Sequence, residues 1–189
     1  MIGRLRGVLV SSRESGIVIE VGGVGYEVAM TTRDLASLPG IGEEIVVHTH
    51  THVREDDISL FGFGTESDRE LFRILLGASG VGPKVAMAML ASMTAEQIVR
   101  AITGEDPDAL TITPGVGKRG AQKIVLELGP KLSGREAEVV GSASLGGVRQ
   151  ALEGLGYSTA EINAVVSDLD PTAPIEIQVK TALQRLGRR

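Results

Sequence analysis

The spacing of apolar positions changes character twice along this chain. Up to residue 63 it is a two-residue alternation in short β-branched runs: Gly7 to Val10, Gly16 to Val21, Val24 to Met30, Glu44 to Val53 and Ile58 to Phe63. Turn signals separate them, among them Ser11-Ser12, Gly22-Gly23 and Pro39-Gly40. Five strands of this spacing predict a small closed barrel of the oligonucleotide-binding (OB) type. From residue 65 the period becomes helical. Thr65 or Ser67 caps a helix with Leu71, Phe72, Leu75 and Leu76 on its apolar face, and Gly77 to Gly80 end it. Pro83 opens a second helix, buried through Val85, Met89, Leu90 and Met93. Thr94 and Gln97 form a capping box for a third, a short fourth follows Pro107, and a fifth is expected to stop at Gly129-Pro130.

Beyond Gly129 the chain turns polar and rich in small residues as far as Ser144, as expected of a tether; about 12 flexible residues span roughly 20 Å. Three amphipathic stretches follow: Leu145, Val148, Leu152 and Leu155; Ile162, Val165, Val166 and Leu169; Ile175, Val179, Ala182, Leu183 and Leu186. The expected architecture is α+β and multidomain. It comprises a five-stranded OB-type barrel over 1–64, a tandem helix–hairpin–helix unit over 65–130, a linker over 131–143 and a small three-helix, UBA-like module over 144–189. Such a tethered module suits the holding of a partner.

Chemistry enters with a repeat. Gly80-Val81-Gly82-Pro83-Lys84 and Gly115-Val116-Gly117-Lys118-Arg119 stand thirty-five residues apart, each leading into an alanine-containing apolar helix. A Gly-x-Gly turn at a helix start leaves backbone N–H groups free at the positive end of the helix dipole, with a cation beside them, and such a turn suits a phosphate. Two in tandem with no catalytic group between them point to two grips on a polyanionic backbone. The net charge of −5 runs against this, but it divides unevenly: −4 over 1–64, +1 over 65–135 and −2 over 136–189. The segment with both glycine turns is the one that is not acidic, so affinity would rest on geometry and several copies rather than on bulk charge.

Other constellations carry weaker signals. Gly115 to Gly120 also fits G-x-G-x-x-G, but Thr113-Pro114 replaces the required strand and Gly134-Arg135 lies where the acidic residue is expected. No G-x-x-x-x-G-K-[ST] occurs, so a nucleotide-hydrolysing site is not expected. His48, His50 and His52 share one strand face; that spacing admits zinc, while a solvated face is the expected outcome. The turn Arg54-Glu55-Asp56-Asp57 admits three readings: solvated acids, carboxylates that repel phosphates, or a magnesium site. The absence of cysteine removes disulfides and thiolate metal sites, and with no leader-like or spanning segment a cytoplasmic protein is expected. No cofactor and no metal is called for.

Met1-Ile2-Gly3-Arg4-Leu5-Arg6-Gly7, the run Ile19 to Val28, Val53-Arg54-Glu55-Asp56, Leu60-Phe61-Gly62-Phe63 and both hairpins together resemble the RuvA family, the junction-binding subunits of the bacterial branch migration machine. The resemblance implies a barrel that builds a homotetramer, with one or two tetramers on a four-way DNA junction. It also implies a tandem hairpin unit on the DNA phosphates and a mobile C-terminal domain that engages the ATPase motor RuvB, with the resolvase RuvC a further candidate partner. By the same resemblance Glu55 and Asp56 are the acidic pin, and phosphate contacts fall on Gly80, Gly82, Lys84, Gly115, Gly117, Lys118 and Arg119. Two positions depart from the family pattern: Thr113, where an apolar residue is usual, and Gly120, where a threonine is. The rival reading is a hairpin-bearing accessory module of a repair nuclease or ligase. A hairpin glycosylase is disfavoured, because the first aspartate after Arg119 is Asp168, in the tail.

Overall fold

A computed structural model describes residues 1–133, 147–149, 151–166, 169 and 175–187. Five strands close into a barrel in the order β1-β2-β3-β5-β4: β1 Arg4–Arg13, β2 Gly16–Val21, β3 Val24–Met30, β4 Glu44–Val53 and β5 Ile58–Phe63. β1 pairs antiparallel with both β2 and β4, and β3 meets β5 in parallel, which closes the ring. The first strand is longer than its apolar run because it serves two neighbours, and a bulge between Leu9 and Ser11 lets it bend from one to the other. Leu5, Leu9, Ile17, Ile19, Val28, Met30, Ile45, Val47 and Leu60 alternate inward and fill the barrel. Gly62 is needed there, since a Cβ would lie 2.5 Å from a methyl of Val28 and 2.7 Å from one of Val47. A short helix, α1 Thr32–Ala36, bridges β3 and β4; its capping Thr31 and Asp34 are a signal the sequence reading passed over.

The helical unit comprises α2 Glu66–Leu75, α3 Pro83–Ser92, α4 Ala95–Thr103, α5 Pro107–Leu110 and α6 Lys118–Leu132. Thr65 caps α2, and the Thr94–Gln97 box caps α4 with both reciprocal bonds made. Barrel and helices share one seam. Phe63 and Phe61 stand 4.9 Å and 5.4 Å, centroid to centroid, from Phe72 of α2, Arg69 donates to the Gly3 carbonyl at 2.7 Å, and Arg33 donates to the Met93 carbonyl at 2.9 Å. Phe61 and Phe63 are thus spent on fixing the helical unit, while Tyr26 packs on the barrel core.

Two expectations about helix ends fail. α6 does not stop at Gly129-Pro130 but carries Pro130 inside its last turn and runs to Leu132. The carbonyl that Pro130 cannot bond belongs to Leu126, 77 % exposed, so water can satisfy it, while the full burial of Leu128 and Leu132 holds the turn in place. In the tail, residues 147–149 and 151–154 are helical, followed by α7 Thr159–Val166 and α8 Ile175–Leu186, around a separate core of Val148, Leu152, Ile162, Val165, Val166, Leu169 and Ala182. Leu155 and Ile175, expected in that core, are 61 % and 44 % exposed. Most of the expected linker, from 134 on, and Leu145 lie outside the described residues.

Candidate nucleic-acid interface

The two glycine turns have the same backbone. In the first, the Val81 N–H donates to the Ala78 carbonyl; in the second, the Val116 N–H donates to the Thr113 carbonyl, both at 3.1 Å. Gly80 and Gly115 take the left-handed conformation that the third residue of such a turn requires, with φ of +84° and +88°. Val81 and Val116 are buried and anchor each turn to the core. Gly82 and Gly117 then cap α3 and α6 in extended conformation, φ −94° and −88°, with no side-chain cap. Their φ does not demand glycine, and a Cβ on either would meet nothing within 4 Å. What glycine does at these two positions is leave the amides bare for something outside the chain to approach.

The charge pattern singles out the same two helix starts. α1, α2, α4, α5, α7 and α8 each carry an acid in the first turn: Asp34 in α1, Glu66 and Asp68 in α2, Glu96 in α4, Asp108 in α5, Glu161 in α7 and Glu176 in α8. α3 and α6 carry none; they present Lys84, and Lys118 with Arg119, all exposed. Cations at the positive end of a helix dipole are electrostatically unfavourable unless an anion joins them. Two uncapped, acid-free, cation-bearing helix starts on one rigid unit can hold two phosphates.

The acidic turn lies at the tip of β4 and β5, where the Arg54 N–H donates to the Asp57 carbonyl at 2.8 Å and leaves Glu55 and Asp56 exposed between them. Asp57 is tied back by the Ser59 hydroxyl. An open cleft of about 540 Å³, lined by His52, Arg54 and Asp57 on the barrel side and Gly82 and Lys84 on the other, joins this turn to the first hairpin. Arg54, legible in the sequence only as part of the acidic turn, also lines that cleft.

The histidine face is not solvated as expected. His48, His50 and His52 are half-buried, and the His50 ring meets Phe72 edge-on at 5.3 Å, because β4 packs against α2. Burial lowers the pKa of His48 and of His50, with Arg73 and the neighbouring His52 adding to the effect at His50. His52 accepts from the Arg54 guanidinium at 3.2 Å through Nε2. Among the described residues no three His, Asp or Glu side chains stand close enough together to hold a metal ion. Another residue the sequence reading missed is Glu127 of α6, whose carboxylate accepts from the Ser79 N–H at 2.7 Å.

Comparison with known proteins agrees with this geometry. Residues 1–62 match the family description "RuvA N terminal domain", residues 72–130 a "SAM-like Helix-hairpin-helix tandem", and residues 145–187 "RuvA, C-terminal domain". A relative from Rubrobacter xylanophilus is 41% identical over the full length of both chains, and one from Methylibium petroleiphilum is 40% identical, also over both full lengths. A third, from Vibrio cholerae, is 49% identical over 71% of this chain and 66% of its own. All three are named "Holliday junction branch migration complex subunit RuvA". With its barrel, paired hairpins and small helical tail in the order of those domains, this chain belongs to the RuvA family.

Proposed function

We propose that the chain binds four-way DNA junctions as a homotetramer, holds them open, and hands them to the ATPase motor RuvB for branch migration in recombination and repair. The observation that carries the proposal is the pair of uncapped helix starts at Gly82 and Gly117, which lack the first-turn acid of their neighbours. Gly80, Gly82 and Lys84 grip one stretch of sugar–phosphate backbone, and Gly115, Gly117, Lys118 and Arg119 grip the next. The contacts are to phosphates, so the grip does not read base sequence. One such pair holds weakly, and four joined by symmetry multiply it into tight, shape-selective binding. One tetramer or two facing tetramers both fit this arithmetic.

Glu55 and Asp56 are exposed at the barrel tip, and a cleft runs from their turn to the first hairpin, which supports reading them as the acidic pin between the exchanging strands. Their carboxylates repel phosphates and keep the strands from re-stacking. The tail, a small core of its own with Leu155, Ile175 and Ile177 exposed, supplies apolar side chains for the motor to seat on. Chemical energy comes from that motor; this chain contributes binding and shape, and RuvC would act on the junction so held.

The test is a competition gel-shift with a synthetic four-way junction and linear duplex at several salt concentrations. A strong junction preference is expected, with log K falling by about 0.9 per phosphate engaged for each tenfold rise in salt, and with a smaller slope in K84A and K118A. Equal affinity for junction and duplex, or a monomer in sedimentation, would instead favour an accessory hairpin module of a nuclease or ligase.

A further inference from the structure

The repeat is not perfect, and its mismatch is informative. With the thirty-five-residue offset, Ser79 of the first turn corresponds to Pro114 of the second. Both occupy the second position of the turn, whose φ of about −60° a proline ring imposes by itself. Proline also has no N–H to satisfy. Ser79 lacks the ring, and its N–H is taken by Oε2 of Glu127 at 2.7 Å, across 48 residues of chain. One helical turn further along α6, Lys131 donates to the carbonyl of Gly77 at 3.3 Å, and one turn back Lys123 stands 3.9 Å from Glu127.

We propose that Glu127 is a positioning residue for the first hairpin, accepting from Ser79 the hydrogen bond that holds a turn which Pro114 holds covalently in the second. The inference rests on the reading of the hairpins as phosphate grips. α6 begins at the second hairpin and reaches the first through Glu127 and Lys131, so one rigid helix sets the distance between the two grips. The bond is charge-assisted, which makes it stronger than a neutral one. Hydrogen bonds from Ser79 also hold the Glu127 carboxyl below its ordinary pKa, so it stays ionised as an acceptor across the neutral range. Without it, the Ser79 N–H turns to water and the hairpin samples other shapes, and apparent affinity falls by the fraction of molecules in the binding shape.

The measurement is the affinity of wild type, E127A, E127Q, S79P and S79P/E127A for a synthetic four-way junction, with K118A as a control. E127A should bind on the order of tenfold more weakly, the loss of one charged hydrogen bond, and E127Q, which keeps an amide oxygen as acceptor, should bind within about threefold of wild type. S79P should bind like wild type, and in that background E127A should cost almost nothing. A loss as large in S79P/E127A as in E127A, or no loss in E127A, overturns the proposal. Should E127A melt below the assay temperature, the double variant decides, since a proline that does not restore binding overturns the proposal and one that does supports it. A wild type without junction preference, or a K118A with full affinity, would sink the phosphate-grip reading itself; a wild type that prefers junctions with an insensitive E127A sinks the role of Glu127 alone.

Discussion

The imidazole of His50 stands edge-on to the ring of Phe72, centroids 5.3 Å apart and planes at 62°, with its Nδ1 buried and without a hydrogen-bond partner. A barrel strand and the first long helix meet at that contact, which keeps the acidic tip and the hairpins in fixed relation.

Stability should therefore depend on pH through this seam. Burial lowers the pKa of His50 and of His48, so the folded chain holds these protons less readily than the unfolded chain, which titrates near the ordinary value of about 6.5. As pH falls through about 6.5 the unfolded state takes up protons first, so stability is greatest above that value and declines below it. Melting temperature measured stepwise from pH 7.5 to 5.5 should fall, and H50F should shrink the decline while sparing the Phe72 contact. An unchanged decline in H50F would assign it to other groups.

Thr113 is 2 % exposed and its hydroxyl finds no partner, while the matching residue of the first turn is the apolar Ala78. A buried hydroxyl without a bond costs about 1–3 kcal/mol. T113V keeps the shape and removes the hydroxyl, so it should raise stability to urea by about 1 kcal/mol and leave junction affinity alone. A destabilised T113V would mean that the hydroxyl has a bond in solution.

Gly120, third in α6, has open space around it, with nothing within 4 Å of an added Cβ. Alanine there should stabilise by about 0.5–1 kcal/mol, which for a chain of this size is about 1–4 °C in melting temperature. Affinity for junctions should hold, because the amide remains. A marked loss would show that DNA approaches the helix too closely at this point for a methyl group.

Neutralising the barrel tip by E55Q/D56N should leave folding intact, since both side chains are exposed. Relieved of repulsion worth about 1 kcal/mol per charge pair at 4 Å in water, the junction should bind more tightly and open less at its centre, which a fluorescent base analogue at the crossover would report. Unchanged affinity and unchanged fluorescence would refute the acidic-pin assignment.

Much of this was legible because it is local. Four of the five strands begin and end where alternation predicts them, at Gly16–Val21, Val24–Met30, Glu44–Val53 and Ile58–Phe63. Thr65, Thr94 and Gln97 cap as their spacing requires, and both glycine turns form where the repeated phrase stands. Period, cap and turn are decided within a few residues, where sequence neighbours are also neighbours in space. What tertiary packing alone decided is which surfaces get covered and which distant groups meet. The histidine face is half-buried because α2 lies over it, Leu155 and Ile175 are exposed because nothing described covers them, and Pro130 stays helical because Leu128 and Leu132 hold the turn around it. Glu127 meets Ser79 only because α6 folds back past the first hairpin, and no local pattern encodes a contact made across that loop of chain.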